Sequence, residues 1–220
     1  MSKIVHPYAH RLVILRDWKS RWFASDKKYV DFLRADVLVR RFLEKKLQGF
    51  YAASIEFERS QKGARIIIRT SRPGMIIGRS GEGAIKLRND ILKFMKKNKI
   101  AEPEDLKIDI VEVANPDSDA NIVAFAVAEG LEKRMPFRRV LKQTIEKVMQ
   151  SRDVKGARIV LGGRLGGAEI ARSEELKKGS IPLQTFRADI DFSRQRAHLP
   201  YGDIGIKVWI YRGQVFAEKK

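Results

Sequence analysis

The residues in this sequence whose type and spacing most suit ligand binding are Gly78 and Gly81, which flank Arg79 and Ser80. Glycine lacks a Cβ and tolerates positive φ, so a Gly-x-x-Gly turn lets a second backbone approach closely. The segment 82–97 that follows has helical spacing of apolar residues, and the free N–H groups at a helix N-terminus favour anions such as phosphate. Arg79 adds a cation at the tip. The pattern predicts a turn that binds phosphate without covalent chemistry.

The two glycines alone are a weak signal, because many tight turns contain two glycines and bind nothing. Three neighbouring features favour a ligand. Ile76 and Ile77 would anchor the turn to a core, Arg79 carries charge, and segment 61–100 holds eleven Lys and Arg against two acidic residues. Nucleic-acid-binding KH domains clamp single strands with a loop of this type. An unliganded turn stays open as the alternative.

Composition points to a polyanionic partner. The 220 residues contain 45 Lys and Arg against 27 Asp and Glu, a formal net charge of +18. A hydrophobic content of 44% and 11 Phe are enough to build folded cores. The longest apolar run, 122–128, is far shorter than the roughly 20 residues of a membrane helix. No apolar signal core follows Met1, and the absence of cysteine excludes disulfides and thiolate metal sites. We expect a cytoplasmic protein with no membrane partner.

No arrangement of catalytic residues is readable. The glycine-rich segment 162–167 lacks both the Gly-Lys-Ser/Thr ending of a P-loop and the spacing of a dinucleotide loop. The three histidines, at positions 6, 10 and 198, form no triad or metal-binding pattern. We therefore predict a protein that is not an enzyme and that uses no cofactor and no metal.

Carboxylates leave one alternative open. Glu169, Asp189 and Asp191 could form a site across paired strands, although ion pairs with Arg172 or Arg187 are the simpler explanation. A second group of acids in segment 101–125 has no EF-hand spacing, so we expect solvated surface there.

The apolar pattern predicts an α+β chain with two domains. In residues 29–114 the order is helix, two strands, short helix, glycine turn, helix and strand, which is the order of a type II KH domain. The predicted elements are 29–47, 52–59, 64–70, 73–77, 82–97 and 106–113.

The loop 115–119 predicts the boundary to a second domain, 115–213. Two helices, separated at Pro136, precede a set of alternating strands, which indicates a two-layer α+β domain with a mostly antiparallel sheet. Its predicted elements are helices 120–135 and 137–150 and strands 156–161, 168–176, 185–192 and 203–211. Residues 214–220 are predicted to be a short basic tail.

Residues 1–28 mix cations with aromatic residues and predict an RNA-binding arm, because aromatic rings and guanidinium planes stack on bases. Trp18 and Trp22 could equally cap a core. The RNA contacts predicted outside the glycine turn are Lys3, Arg11, Arg16, Lys19, Arg21, Arg72, Lys86 and Arg164.

Segment 137–150 shows a buried seam beside a basic face. Leu141, Ile145 and Val148 recur at helical spacing. Arg138, Arg139 and Lys142 share an adjoining face. Such a face is usually only solvent-exposed surface.

Over nearly its whole length the sequence resembles the bacterial small-subunit ribosomal protein S-three family. The Gly-Arg-Leu-Gly-Gly-Ala-Glu run is the most specific of the shared motifs. The motifs are His6-Pro7-x-x-x-Arg11-Leu12, Asp17-Trp18-x-Ser20-x-Trp22, Arg72-Pro73-Gly74-x-Ile76-Ile77-Gly78-x-x-Gly81, 163–172, 187–191 and 205–210.

The resemblance implies a structural constituent of the small ribosomal subunit. Its expected partners are small-subunit ribosomal RNA in the head, neighbouring ribosomal proteins and messenger RNA at the entrance of the messenger tunnel. Phe137-Arg138-Arg139-x-x-Lys142 matches the family motif that lines this entrance and helps to unwind the messenger. Arg138, Arg139 and Lys142 are therefore implied to contact messenger RNA.

The sequence departs from the family pattern at Val13, Gly162, Glu175-Leu176 and Ser180, where glycine, serine, an aromatic pair and arginine are usual. The alternative to a ribosomal protein is a free KH-type RNA-binding regulator. Such a regulator would need no second domain with its own specific motif.

Overall fold

The computed structural model describes residues 5–60, 63–100, 103 and 105–216. They form two compact units. Trp18–Ala114 make up one, here called the inserted unit, and the described residues up to Asp17 join those from Asn115 onward in the other, the terminal unit. The predicted arm of residues 1–28 is therefore divided: its first part, with the short helix α1 (Pro7–His10), belongs to the terminal unit.

The inserted unit has the element order predicted for a type II KH domain. Its strands form one sheet in the order β1-β2-β3-β4, with only the β2–β3 pair antiparallel. The elements are β1 (Ser20–Arg21), α2 (Asp26–Lys46), β2 (Ala52–Arg59), β3 (Gly63–Thr70), α3 (Pro73–Ile77), α4 (Glu82–Lys97) and β4 (Asp105–Glu112).

Helices α2 and α4 bury one stripe each in the core of the inserted unit. Val39 and Leu43 on α2, and Leu87, Ile91 and Met95 on α4, recur every four residues and pack with alternate residues of β2 and β3. The strand residues at this core include Ile55, Phe57, Ile66 and Ile68. Burial of this stripe orients α4, and α4 in turn positions the glycine turn before it.

The terminal unit is a two-layer α+β domain, as predicted. Its sheet has the order β6-β5-β8-β7, and every adjacent pair is antiparallel. The elements are α5 (Ala120–Glu132), α6 (Phe137–Gln150), β5 (Gly156–Gly163), β6 (Arg172–Gly179), β7 (Ala188–Leu199) and β8 (Gly202–Gln214).

One face of this sheet packs on α5 and α6. Ile204, Ile206, Val208 and Ile210 alternate along β8 and lie in the core with Ile145 of α6. A smaller cluster on the opposite face joins Ala188 and Ile190 to Trp209 and Tyr211.

The largest differences from the predicted bounds are in two strands. Strand β6 begins at Arg172 and not at Ala168, because Leu165–Gly167 form a 3-10 turn in which Gly166 and Gly167 have positive φ. Strand β7 runs to Leu199, seven residues past the predicted end, since it pairs with β8 along a long hairpin. The four consecutive polar residues after Phe192, at 193–196, lack the alternation of a strand and concealed that continuation.

Among the described residues, no helix has the length and apolar content that a membrane crossing requires.

Candidate nucleic-acid interface

The glycine turn joins α3 to α4 and has the backbone geometry that its sequence predicts. Gly78 has φ 70° and Gly81 has φ 81°, and Ser80 between them is also left-handed at φ 52°. Gly81 is the N-cap of α4 and supplies no side-chain cap. The first N–H groups of α4 thus have no capping side chain, which leaves them able to donate hydrogen bonds to an anion.

Gly83 allows α3 and α4 to meet behind the turn. A Cβ at this position would lie 2.4 Å from the carbonyl oxygen of Ile76 and 2.8 Å from that of Ile77. Sequence reasoning did not assign a role to Gly83. The signal that could have found it is the third glycine in a run of six residues, two positions after Gly81.

The turn is exposed and is anchored on one side only. Gly78, Arg79 and Ser80 face solvent, and Ile76 is buried in the core. Ile77, predicted to be a second anchor, is 37% exposed, so that prediction was wrong. Ile77 instead adds apolar surface beside the cationic turn, as does Ile85, which is also exposed, on the first turn of α4.

Arg72 and Lys86 lie on either side of the turn in sequence and are both exposed. The Arg72 guanidinium stacks over the ring of Tyr51, 4.6 Å from its centroid. Lys86 lines a shallow hollow on α4 with Ile85 and Asp90. The Lys46 ammonium donates a hydrogen bond to Asp90 and holds the pKa of that carboxyl below its usual range.

Arg11 was predicted to bind RNA, and the structure contradicts this. Its side chain is fully buried and donates to four backbone carbonyl groups, those of Ala188, Pro7, Leu183 and Thr185. No part of the guanidinium remains for a phosphate. Arg11 instead holds the N-terminal segment onto the terminal sheet.

Three other cations of the predicted arm are partly or wholly engaged within the protein. Arg16 makes an ion pair with Asp189 at 2.6 Å, and Arg21 pairs with Glu56 and Glu58. Lys19 is half-buried. Lys3 lies outside the described residues.

The two tryptophans have different surroundings. Trp22 donates from Nε1 to Asp36 at 2.7 Å, and its ring packs against Tyr29 and Phe32, so it is a structural residue. Trp18 is 56% exposed.

Helix α6 has an apolar face on one side and a cationic face on the other. Val140, Leu141, Ile145 and Val148 are buried against the sheet. On the other side Arg138, Arg139 and Lys142 are all exposed, the three residues predicted to meet messenger RNA.

Arg138 has two neighbours that orient its guanidinium. It lies over the ring of Phe137, 5.5 Å from the centroid, and its Nη2 is 3.5 Å from a carboxylate oxygen of Glu174 on β6. The Arg138 side chain is 75% exposed, so this is a weak, solvent-screened pair that leaves donors free.

Arg164 is exposed, but two of its guanidinium nitrogens already donate hydrogen bonds to backbone carbonyl groups. It donates from Nε to the carbonyl oxygen of Ala168 at 2.9 Å and from Nη1 to that of Tyr201 at 3.3 Å. These bonds hold the glycine-rich loop after β5, and the remaining donors face solvent.

The carboxylates that could have formed a catalytic site are structural. Asp189 pairs with Arg16 and Arg212, and Asp191 pairs with Arg212, so the ion-pair partners are not the predicted Arg172 and Arg187. Asp191 also accepts from the N–H of Ala120. Glu169 lies apart from them on the exposed loop.

Asp119 caps α5 through hydrogen bonds from the N–H groups of Asn121 and Ile122. Burial, reinforced by the charge of Asp191, raises the pKa of Asp119 to about 6. Across the described ranges, no group of three His, Asp or Glu residues could hold a metal ion.

The sequence also matches known proteins. Residues 38–118 match the family model for the KH domain, and residues 127–210 match that for the C-terminal domain of ribosomal protein S3. A small ribosomal subunit protein uS3 of Clostridium novyi is 44% identical over 220 residues, covering 100% of this chain and 96% of that protein. A protein of the same name from Caldicellulosiruptor saccharolyticus is 44% identical over 219 residues, with the same coverage.

These matches extend over both units and include the glycine turn, helix α6 and the terminal sheet. The chain therefore belongs to the uS3 family of small ribosomal subunit proteins, which are structural constituents of the ribosome and not enzymes.

Proposed function

We propose that this protein binds small-subunit ribosomal RNA in the head of the subunit and lines the entrance of the messenger tunnel, where it holds and helps to unwind incoming messenger RNA. Neighbouring ribosomal proteins of the head and of the entrance are its other partners. The proposed place of action is the cytoplasmic ribosome.

The observation that carries the messenger role is the cationic face of α6. Arg138, Arg139 and Lys142 are exposed along one side of a helix whose opposite side is fixed in the core. A rigid support limits the loss of conformational entropy when these cations bind phosphate. They are therefore suited to hold single strands that emerge from an opening duplex.

The ribosomal-RNA role is supported by the glycine turn. Left-handed backbone at Gly78, Ser80 and Gly81 exposes peptide groups beside Arg79, at the start of α4. Close approach of a phosphate to such a turn needs no side chain to move. We assign the four turn residues, with Arg72, Lys86 and Arg164, to ribosomal RNA.

A substitution of Arg138, Arg139 and Lys142 by alanine tests the messenger role. These positions are exposed, so folding and assembly into the small subunit should be intact. Ribosomes carrying the variant should pass through a structured messenger more slowly than parent ribosomes, and through an unstructured messenger at nearly the parent rate. Single-ribosome translocation on matched messengers measures both.

A matched control removes three exposed cations from the outer side of α2: Arg34→Ala, Arg41→Ala and Lys45→Ala. We call it the α2 control. It lowers the net charge equally and should not distinguish structured from unstructured messenger. Equal slowing on both messengers by the α6 variant would exclude an unwinding role.

A free RNA-binding regulator is the second candidate. Sedimentation of cell extracts separates the two, since a ribosomal protein is recovered with the small subunit. Recovery mainly as a free protein would favour the regulator.

A further inference from the structure

The terminal sheet has a second face that α5 and α6 do not cover. Successive residues of a strand point to opposite faces. Ile206 and Val208 of β8 and Ala197 of β7 face the helices in the core. Lys207 between the first two, and Arg194 and Arg196 before the third, therefore point to the opposite face, and all three are exposed.

These three cations are close to one another across the β7–β8 pair. Arg194 lies directly opposite Lys207, and Arg196 lies opposite Gly205. Like charges directly opposite each other on a sheet are destabilising. An anion bound between these side chains would offset the repulsion.

Two acidic residues of the same sheet are already paired. Glu175 on β6 accepts from Arg158, and Asp203 on β8 accepts from His198 at 2.7 Å. Within the described part of the chain, no carboxylate forms an ion pair with Arg194, Arg196 or Lys207. Their charge is available to a ligand.

Beside the cations, two glycines leave the backbone of the sheet without side chains. Gly205 pairs with Gly162 of β5, and neither glycine has positive φ. A Cβ on Gly162 would meet no atom within 4 Å, and one on Gly205 would find its nearest neighbour at 3.7 Å, the carbonyl oxygen of Gly162. The terminal unit itself thus requires neither glycine. Glycine inside a strand often marks close approach of a ligand or another backbone.

We propose that these five residues, Arg194, Arg196, Lys207, Gly162 and Gly205, form a further RNA-binding site, the sheet patch, which takes the sugar-phosphate backbone. Arg194 and Arg196 are about 7 Å apart along one face of the strand. Their planar guanidinium groups can each bind a phosphate through two parallel hydrogen bonds. Because Gly162 and Gly205 have no side chains, the polymer can lie flat against the sheet.

The patch fits RNA better than an acidic protein. Protein interfaces are usually anchored by buried aromatic or large apolar side chains. Strands β7 and β8, which carry the three cations, expose no large hydrophobic side chain. The inference rests on the proposed ribosomal-RNA role and adds a site that is separate in sequence from the glycine turn and from α6.

The test uses the full-length protein and purified small-subunit ribosomal RNA, with affinity measured across a range of salt concentrations. For Arg194→Ala, Arg196→Ala and Lys207→Ala together, we expect binding at least about tenfold weaker and a slope of log K against log salt reduced by about 2 to 3. Without RNA, the variant should melt at the parent temperature or above, because the Arg194–Lys207 repulsion is gone.

A second variant changes shape without changing charge. Gly205→Val adds a β-branched side chain on a strand, and its Cβ would make only an ordinary contact, 3.7 Å from the carbonyl oxygen of Gly162. The variant should therefore fold normally and still weaken RNA binding severalfold. The α2 control should retain the parent salt slope, or lose less of it than the sheet variant.

Each of the other possible results would count against this inference. An unchanged slope in the sheet variant, together with a reduced slope in a variant of the glycine turn, overturns this inference and leaves the proposed function intact. Failure of the parent protein to bind the RNA overturns the proposed function as well. An equal loss in the α2 control would indicate a non-specific charge effect, and preferential binding of poly-glutamate through the patch would replace RNA by an acidic protein.

Discussion

Arg11 donates from Nε to the carbonyl oxygen of Ala188 at 2.6 Å, linking residues that are 177 positions apart in the chain. Its Nη2 donates to the carbonyl oxygens of Leu183 and Thr185, at 3.0 Å each. This side chain explains why the N-terminal segment belongs to the terminal unit. The KH domain is consequently an insertion between that segment and the rest of its unit.

Replacing Arg11 should destabilise the terminal unit. Arg11→Lys keeps the charge but cannot reproduce the planar set of donors, so buried carbonyl groups lose their partners. We expect a loss of about 3 kcal/mol or more in the free energy of unfolding, measured by urea denaturation. Arg34→Lys, at an exposed site, should change it by less than about 0.5 kcal/mol. A comparably small effect at Arg11 would contradict the structural role.

Val13 should be improved by glycine. Its φ is 70°, which a β-branched residue adopts only with strain, and its side chain is 81% exposed. Val13→Gly removes the strain, of roughly 1–2 kcal/mol, and loses little packing, so we expect a net gain of about 1 kcal/mol. Thermal melting measures it. Val30→Gly is the opposite control: this exposed residue is inside α2, where glycine should destabilise by about 0.5–1 kcal/mol.

Gly83→Ala should disrupt the junction behind the glycine turn. Its Cβ would overlap the carbonyl oxygens of Ile76 and Ile77, so α3 must move away from α4. We expect the inserted unit to lose about 2 kcal/mol or more. Gly74→Ala is the matched control, since a Cβ there meets no atom within 4 Å. Equal melting temperatures for the two variants would show that the junction is not tightly packed.

Asp119 should make stability depend on pH in the direction opposite to most aspartates. Its pKa rises from an ordinary 3.8 to about 6 on folding, chiefly through burial. The folded state therefore binds the proton more tightly, and this contribution is complete below about pH 4 and is lost as pH rises to about 6. Asp191 and Arg212 are the charged groups that act on it.

Asp119→Asn isolates that contribution, because asparagine can also cap a helix but does not ionise. We expect the difference in unfolding free energy between parent and variant to change by about 2–3 kcal/mol between pH 4 and pH 7. The parent should gain relative to the variant as pH falls. A difference that is constant with pH would mean that Asp119 keeps an ordinary pKa.

Reversing the charge of the glycine turn should weaken RNA binding. Arg79→Asp with Ser80→Asp replaces one cation by two anions at exposed positions, so folding should be retained. The salt dependence of binding to small-subunit ribosomal RNA should become shallower by about 1 or more, because a phosphate contact is lost. A slope identical to that of the parent would show that the turn does not touch phosphate.

Local patterns predicted most elements correctly. Strand β2 and helices α3, α4 and α6 have the predicted bounds, since apolar periodicity, proline and glycine act within a few residues. The element order identified the KH domain, and α6 displays its predicted apolar and cationic faces. The positive φ values of Gly78 and Gly81 follow from the same local chemistry.

Local patterns did not predict which individual cations are buried and which are exposed. Arg11 and Arg79 have the same side chain and each lies near a glycine or proline, yet one is fully buried and the other exposed. What separates them is the set of carbonyl groups that segment 183–188, distant in the chain, brings to Arg11. Trp22 is a second example, because its hydrogen-bond partner Asp36 lies 14 residues further along the chain, within helix α2.

The sequence by itself determined the family, the two-domain α+β class, the polyanionic character of the partner and the exposed glycine turn, since composition and short-range periodicity carry that information. Only the tertiary structure decided that the first residues complete the terminal unit, that Arg11 is a structural residue and that Arg194 faces Lys207 across the sheet. Each of these depends on strand register and on hydrogen bonds between residues far apart in the chain, and no local pattern specifies such pairings.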